Sequence, residues 1–367
     1  MNRDPDFGFG NDDAPPRDRR GATSAFGLDA QHFDRGLQTL LDGLPGPGLI
    51  VAAGIIVMSN TAARAALGAA IDGRDVRLAI RHPGAIERLL GSSRDAEDVE
   101  LVGVGRADRR WLMSVIPLAD GSRFVRLADR SAMHAAEQMR VDFVANASHE
   151  LRTPLATIVG YAEILRESAD AIDPPTRARF AAVMHDEARR MQRVVEDLIS
   201  LSRIEAERFS PPAGRVALPP IIERAIEAHR RIAEERGSRL LVAIEPDLPQ
   251  VPGDRSQLLQ AFENLIGNAL RYGRPGTPVT IHTRRDGGFV RVAVEDEGEG
   301  IPSELIPRLT ERFFRVDTGR SRALGGTGLG LAIVKHIVER HRGRLEIESR
   351  IGIGTVASVL LPQAGES

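Results

Sequence analysis

The chain of 367 residues contains no cysteine. That excludes disulfides and thiolate metal sites, and it suits a reducing cytoplasm. Long apolar runs are missing as well. The longest, Gly48–Met58, has eleven residues, whereas a membrane-spanning helix needs about 20. Pro45, Pro47 and the internal Gly54 mark this run as a buried strand and turn. The opening Met1-Asn-Arg-Asp-Pro-Asp has no apolar core of the kind a signal peptide carries. Excess charge of one sign is also absent, since the formal net charge is −2. No electrostatic case then exists for bulk binding to nucleic acid or to an anionic membrane. The expectation is a cytoplasmic chain without a direct nucleic-acid partner, with peripheral membrane association left open.

Length and composition allow two or three domains, and 42% hydrophobic residues are enough to fill their cores. Residues 1–28 are rich in Asp, Arg, Gly and Pro, the composition of a disordered, solvated tail. A short helix from Asp29 to Leu41 is expected next. Short apolar runs at Leu49–Met58, Val99–Val104, Trp111–Pro117 and Phe124–Leu127 read as strands, and the segments from Asn60 and Pro83 as short helices. A five-stranded sheet with helices on one side accounts for residues 29–130. Together with Asn60-Thr-Ala-Ala after the first hairpin and Leu127-Ala-Asp129-Arg-Ser131 at the exit, this α+β pattern resembles a PAS sensor domain. A ligand-binding role and a scaffold that only passes on dimer geometry stand as equal alternatives. His82 and His134 read as surface residues.

Two long helices are expected over residues 131–207. The first carries Val144, Ala147, Leu151, Leu155, Ile158, Ala162 and Leu165 at steps of three and four, which is one apolar stripe. At about 100° per residue, His149 points roughly 165° away from the centre of that stripe. Thr153 shares its outward face. An exposed imidazole beside a carboxylate, here Glu150, can act as a nucleophile whose proton the carboxylate takes. An ordinary surface histidine is the competing reading of that geometry. Pro154 is expected to loosen the helix beside His149. Asp170–Pro175 reads as the break, because Pro174-Pro175 should not sit inside a helix. The second helix carries Phe180, Met184, Met191, Val194, Leu198 and Leu201. Two such striped helices bury most of their area by pairing with a second copy, giving a homodimeric four-helix bundle.

Residues 216–367 alternate helix candidates (Pro219–Arg236, Arg255–Arg271, Pro302–Leu309, Leu329–Arg342) with strand candidates (Leu240–Glu245, Val279–Thr283, Phe289–Glu295, Leu345–Ser349, Thr355–Leu361). A mostly antiparallel α/β sandwich follows. Asn264 and Asn268 share one helix face. Asn268 can offer an oxygen to Mg²⁺ and Arg271 can reach a phosphate. Asp296 at a strand end can accept an adenine amine, with Gly298 and Gly300 letting backbone approach the base. Glu311-Arg312-Phe313-Phe314-Arg315 comes next, and then Gly325-Gly326-Thr327-Gly328-Leu329-Gly330 opens a helix, a backbone anion site suited to a triphosphate. Each motif alone is a weak signal with a bland alternative, such as a surface amide, a turn or a loop.

Taken together these strings resemble a known family. Ser148-His149-Glu150-Leu151-Arg152-Thr153-Pro154-Leu155 is similar to the H-box of the sensor histidine kinases of two-component systems. The later motifs, in their order, resemble the N, G1, F and G2 boxes of that family's ATP-binding domain, whose fold is shared with type II topoisomerases, a chaperone and mismatch-repair ATPases. The resemblance implies ATP and Mg²⁺ held by Asn264, Asn268, Arg271, Tyr272, Asp296, Gly298, Gly300, Phe314, Gly326, Thr327, Gly328, Leu329, Gly330 and Thr355, with Asn268 on the metal. It implies phosphorylation of His149 with Glu150 as the base, and then transfer to an aspartate of a response regulator. Thr153 would position water for dephosphorylating that regulator. Residues Arg315–Leu324, with Arg320 and Arg322, correspond to a mobile lid. The related ATPases place a general-base glutamate where this chain has Asn264, which favours transfer over hydrolysis. The stretches around Met139–Phe143, Gly160–Glu163 and Ser200–Glu205 resemble the phosphate-regulon sensor kinases, and a membrane-bound upstream sensor complex is a further candidate partner. Two alternatives remain: an ATPase that clamps a dimer, and a scaffold with a degenerate nucleotide pocket.

Overall fold

A computed structural model describes residues 30–91, 98–106, 108–167, 172–207, 210–316 and 326–365. The expected tail, the connection around 168–171 and most of the expected lid lie outside the described residues. Among those described, no helix is long and apolar enough to cross a membrane. The chain divides into two compact units, with the boundary between Arg140 and Val141.

The first unit holds α1 (Ala30–Asp42), β1 (Gly48–Ala52), β2 (Ile55–Ser59), α2 (Thr61–Leu67), α3 (Val76–Ala79), α4 (Pro83–Leu90), β3 (Val99–Val102), β4 (Arg110–Pro117) and β5 (Arg123–Asp129). Its antiparallel sheet has the order β2-β1-β5-β4-β3. The longest apolar run folds back on itself as a hairpin. Ala53 and Gly54 at its tip both take positive φ, as a tight turn between right-twisted strands requires. Trp111, Ile56, Leu49, Met113 and Leu127 fill the core. The buried Trp111 indole donates from Nε1 to the Val104 carbonyl at 3.0 Å. Asn60 caps α2 and is fully satisfied: its Oδ1 accepts from the Gly48 and Ala63 amides, and its Nδ2 donates to the Leu41 and Gly46 carbonyls.

Helix α5 runs unbroken from Ser131 to Glu167, with Pro154 buried inside it. Helix α6 (Pro174–Ala206) starts on the two prolines rather than after them. The first turn of a helix has amides without intrahelical partners, so proline costs nothing there. Asp173 caps this start by accepting from the Thr176 amide at 2.6 Å. On α6 the buried positions Arg190, Val194, Leu201 and Ile204 lie on one face. Val195 and Ile199 on another face are exposed, as are Val144, Leu155 and Val159 of α5.

The rest of the second unit contains β6 (Arg215–Val216), α7 (Pro219–Glu235), β7 (Leu240–Ala243), β8 (Val251–Pro252), α8 (Arg255–Tyr272), β9 (Val279–Asp286), β10 (Phe289–Asp296), α9 (Gly330–Arg340), β11 (Arg344–Arg350) and β12 (Gly354–Pro362). The main sheet has the order β11-β12-β10-β9-β7 and is antiparallel except where β7 runs parallel to β9. The segment expected as a helix from Pro302 forms a 3-10 turn over Ser303–Arg308. Pro307 removes the amide that an α-helix would need there. Phe262, Ile266, Ile333, Ile337, Val292 and Leu361 pack into one core between helices and sheet, and Leu201 and Ile204 of α6 belong to it.

Candidate functional site

One cavity of about 340 Å³ opens between α8, the end of β10 and the start of α9. Helix α8 supplies Asn264, Asn268, Arg271 and Tyr272 from successive turns of one face. Asp254 starts that helix by accepting from the Ser256 and Gln257 amides. The strand end adds Asp296, Gly298 and Gly300, and the neighbouring hairpin adds Thr355. Phe314, Gly326, Thr327, Gly328 and Gly330 close the other side. Motifs up to about ninety residues apart in the chain therefore share one space. Leu329 is the exception among the expected residues. Its side chain is fully buried in the hydrophobic core, and it caps α9 with its backbone. An apolar side chain gains more from that core than from a polar cavity.

Asp296 is the most perturbed acid of the cavity. Burial pushes its carboxyl up to about 6, against the opposing pull of the Gly298 and Thr355 amides. Its Oδ1 accepts from the Gly298 amide at 2.8 Å. In the ladder Asp296 pairs directly with Thr355, and the Thr355 hydroxyl lies 2.8 Å from Ser349 Oγ. Gly300 is held at φ +73°, and a Cβ there would stand 2.1 Å from the Arg350 carbonyl oxygen. Gly328 has φ +75°, and a Cβ would meet Phe313 Cα at 2.8 Å. Only glycine meets both demands.

Three observations speak to an anionic, metal-bound occupant. Asn264 Nδ2 is a buried donor with no partner. Asn268 Oδ1 is positioned by Arg271, whose Nη1 donates to it at 3.1 Å. Burial lowers the pKa of Arg271, and the charge of Arg193 adds to this. A cavity with an orphan donor, a fixed amide oxygen and a desolvated cation suits a polyphosphate and a hard cation. Glu263 does not line it, so no α8 carboxylate is placed to activate water.

His149 is exposed. With Arg152, Thr153, Ala156 and Thr157 it lines a shallow hollow on α5. Thr153 Oγ1 donates to the His149 carbonyl at 3.3 Å. Glu150 turns inward, and its Oε2 accepts from Arg190 Nη2 and from Arg315 Nη2, each at 3.0 Å. Arg315 also lines the cavity. A single side chain thus reaches from the cavity to the residue beside His149.

The family model described as His Kinase A (phospho-acceptor) domain matches residues 139–207. The model described as histidine kinase-, DNA gyrase B- and HSP90-like ATPase matches residues 253–365. A sensor-like histidine kinase, SenX3 of Mycolicibacterium smegmatis, is 37% identical over 76% of this chain and 74% of its own length. The chain belongs to the sensor histidine kinases. The phosphate regulon sensor protein PhoR of Pseudomonas aeruginosa is 35% identical to this kinase over 77% of the chain, which spans 63% of that relative. The solved structure of the Acinetobacter baumannii histidine kinase AdeS aligns with a TM-score of 0.48 and 22% identity, over 59% of this chain and 98% of that one.

Several site residues of the kinase are invisible to motif reading. Arg193, Glu196 and Asp197 of α6 form part of the cavity wall. Thr327 Oγ1 donates to Asp197 Oδ2 at 2.8 Å. Burial raises the pKa of Asp197 against the pull of that bond. Arg312 pairs with Glu205 and sits 5.2 Å from the Phe143 ring centroid, while Phe143 and Phe313 lie 5.9 Å apart. One sequence signal was available. Arg190 and Asp197 fall in helical step with Val194, Leu201 and Ile204, so two charged residues interrupt an otherwise apolar face.

Proposed function

We propose that this histidine kinase binds ATP in the cavity and phosphorylates its own His149. A ring nitrogen of His149 attacks the γ-phosphorus, the bond from that phosphorus to the bridging oxygen breaks, and ADP leaves with the electron pair. The imidazole proton passes to Glu150. Asn264, Asn268 and Arg271 hold the phosphates, Asp296 accepts the adenine amine, and the glycine loop offers amides to the anion. Mg²⁺ held at Asn268 would neutralise phosphate charge, the main need in such a transfer. The observation that carries this reading is Arg315, which lines the nucleotide cavity and bonds Glu150 beside His149.

The exposed apolar faces of α5 and α6 support a homodimeric four-helix bundle. The open hollow around His149 and Thr153 suits docking of a response regulator, whose aspartate takes the phosphoryl group; Thr153 then assists its removal. The first unit acts as a PAS-like sensor. Work in the cytoplasm, where ATP is supplied, fits this chemistry. Likeness to the phosphate regulon sensor makes phosphate signalling, relayed from a membrane-bound complex, the input to test first.

Incubation with γ-labelled ATP and Mg²⁺, beside His149→Ala and Asn268→Ala, tests the core of the proposal. Acid-labile, base-stable label lost in both variants is expected. Label that survives in His149→Ala would place the nucleophile elsewhere, and steady phosphate release without protein label would favour an ATPase.

A further inference from the structure

Arg190 belongs to none of the motifs. Its side chain is 7% exposed, and it sits on the face of α6 that also buries Val194, Leu201 and Ile204. A guanidinium in such a place is costly unless a carboxylate meets it. Nη2 donates to Glu150 Oε2 at 3.0 Å, Nη1 stands 3.8 Å from Glu187, and Nε has no partner. The charge is therefore committed mainly to Glu150.

Glu150 Oε2 receives a second guanidinium from Arg315, also at 3.0 Å. The two donors differ in what else they can reach. Arg315 lines the nucleotide cavity, so a terminal phosphate there competes with Glu150 for it. Arg190 is not among the residues lining that cavity. It comes from the same helical hairpin as His149 and Glu150, across 40 residues of chain. One carboxylate oxygen can accept more than one hydrogen bond, so Arg190 and Arg315 share Oε2 without excluding each other.

We infer that Arg190 is the positioning residue of Glu150, holding its carboxylate beside His149 when nucleotide draws Arg315 away. The inference rests on the reading of Glu150 as the proton acceptor. Arg190 itself touches neither the imidazole nor the nucleotide in this role. It fixes the rotamer of the group that does the work, and a base held out of line loses most of its value.

The test is a double-mutant cycle in the full chain, read as initial rates of His149 labelling over a range of ATP concentrations. Arg190→Ala is expected to lower kcat about tenfold or more, out of the roughly 100- to 10,000-fold that a positioned base supplies, with KM for ATP unchanged within about twofold. Arg190→Lys keeps the charge without the planar fork and should recover part of the loss. In a Glu150→Gln background, Arg190→Ala should change kcat little further. A merely structural Arg190 would lower kcat by the same factor in both backgrounds, and that additivity would overturn the inference. So would wild-type kcat in Arg190→Ala alongside a slow Glu150→Gln, which leaves the role of Glu150 standing. Wild-type kcat in Glu150→Gln would remove the proton-acceptor reading and this inference with it. If Arg190→Ala does not fold, Arg190→Gln and Arg190→Lys carry the same comparison.

Discussion

Thr327 Oγ1 donates to Asp197 Oδ2 at 2.8 Å, so the glycine loop of the nucleotide cavity is tied to a helix of the phosphoacceptor hairpin. The acceptor is an acid whose pKa burial raises, and it lines a cavity read as a polyphosphate site. A carboxylate there opposes the triphosphate and competes for the Thr327 hydroxyl. Asp197→Asn keeps an acceptor and removes the charge. ATP affinity measured by calorimetry should rise, on the order of threefold to tenfold, which is about 1 kcal/mol. Weaker binding would contradict this account of the pair.

Asp296 gives stability a pH dependence of unusual sign for a carboxylate. Its pKa is 3.8 in the unfolded chain and about 6 in the fold. Folding therefore favours the protonated form. The contribution is complete below pH 3.8 and is lost as the pH rises through about 6. Asp296→Asn abolishes the loss. The stability of wild type relative to this variant should fall by a few kcal/mol at most between about pH 4 and pH 6. Denaturant melts over that interval check it, and a constant difference would refute it.

Gly300→Ala tests the backbone cradle. The position requires φ +73°, and its Cβ would be driven to 2.1 Å from the Arg350 carbonyl oxygen. A strained conformation and a backbone clash place it in the severe class, roughly 3 kcal/mol or more. A lower melting temperature and loss of ATP binding are expected together, because Gly300 lines the cavity. Normal binding in a stable variant would show that the loop can move aside.

His341 is a buried joint at the end of α9. Its Nε2 accepts from the Asp254 amide at 3.0 Å, and Nδ1 lies 2.7 Å from the Ile337 carbonyl. This pattern needs the neutral ring with its proton on Nδ1. Burial lowers the pKa of His341. Its contribution to stability is present above about pH 6.5 and declines as acid protonates the unfolded chain first. His341→Leu should cost roughly 1–3 kcal/mol at neutral pH and flatten the decline on the acid side. Thermal melts of the two proteins from pH 5 to 8 provide the comparison.

Local pattern gave most of the elements and missed where local rules have exceptions. Helix α8 lies within one residue of its expected span because Asp254 caps it and its apolar face repeats cleanly. Pro174 and Pro175 read as a break and begin α6, since a first turn has no donor to lose. Pro307 shortened an expected helix to a 3-10 turn. Leu329, expected at the cofactor, went to the core because burial of an apolar side chain outweighs its neighbourhood in the motif.

What the sequence by itself determined is everything carried by neighbours in the chain. His149 beside Glu150 and the outward face that His149 shares with Thr153 follow from spacing and periodicity, and the nucleotide motifs are legible in their order along the chain by resemblance. Only the tertiary structure decided which groups meet across long separations. Glu150 joins Arg190 and Arg315 across 40 and 165 residues, and Asp197 joins Thr327 across 130. These pairs depend on α6 packing Leu201 and Ile204 into the core of the ATP-binding fold. A helical period shows that such a face exists, but its partner is set by the shape and charge of a distant surface.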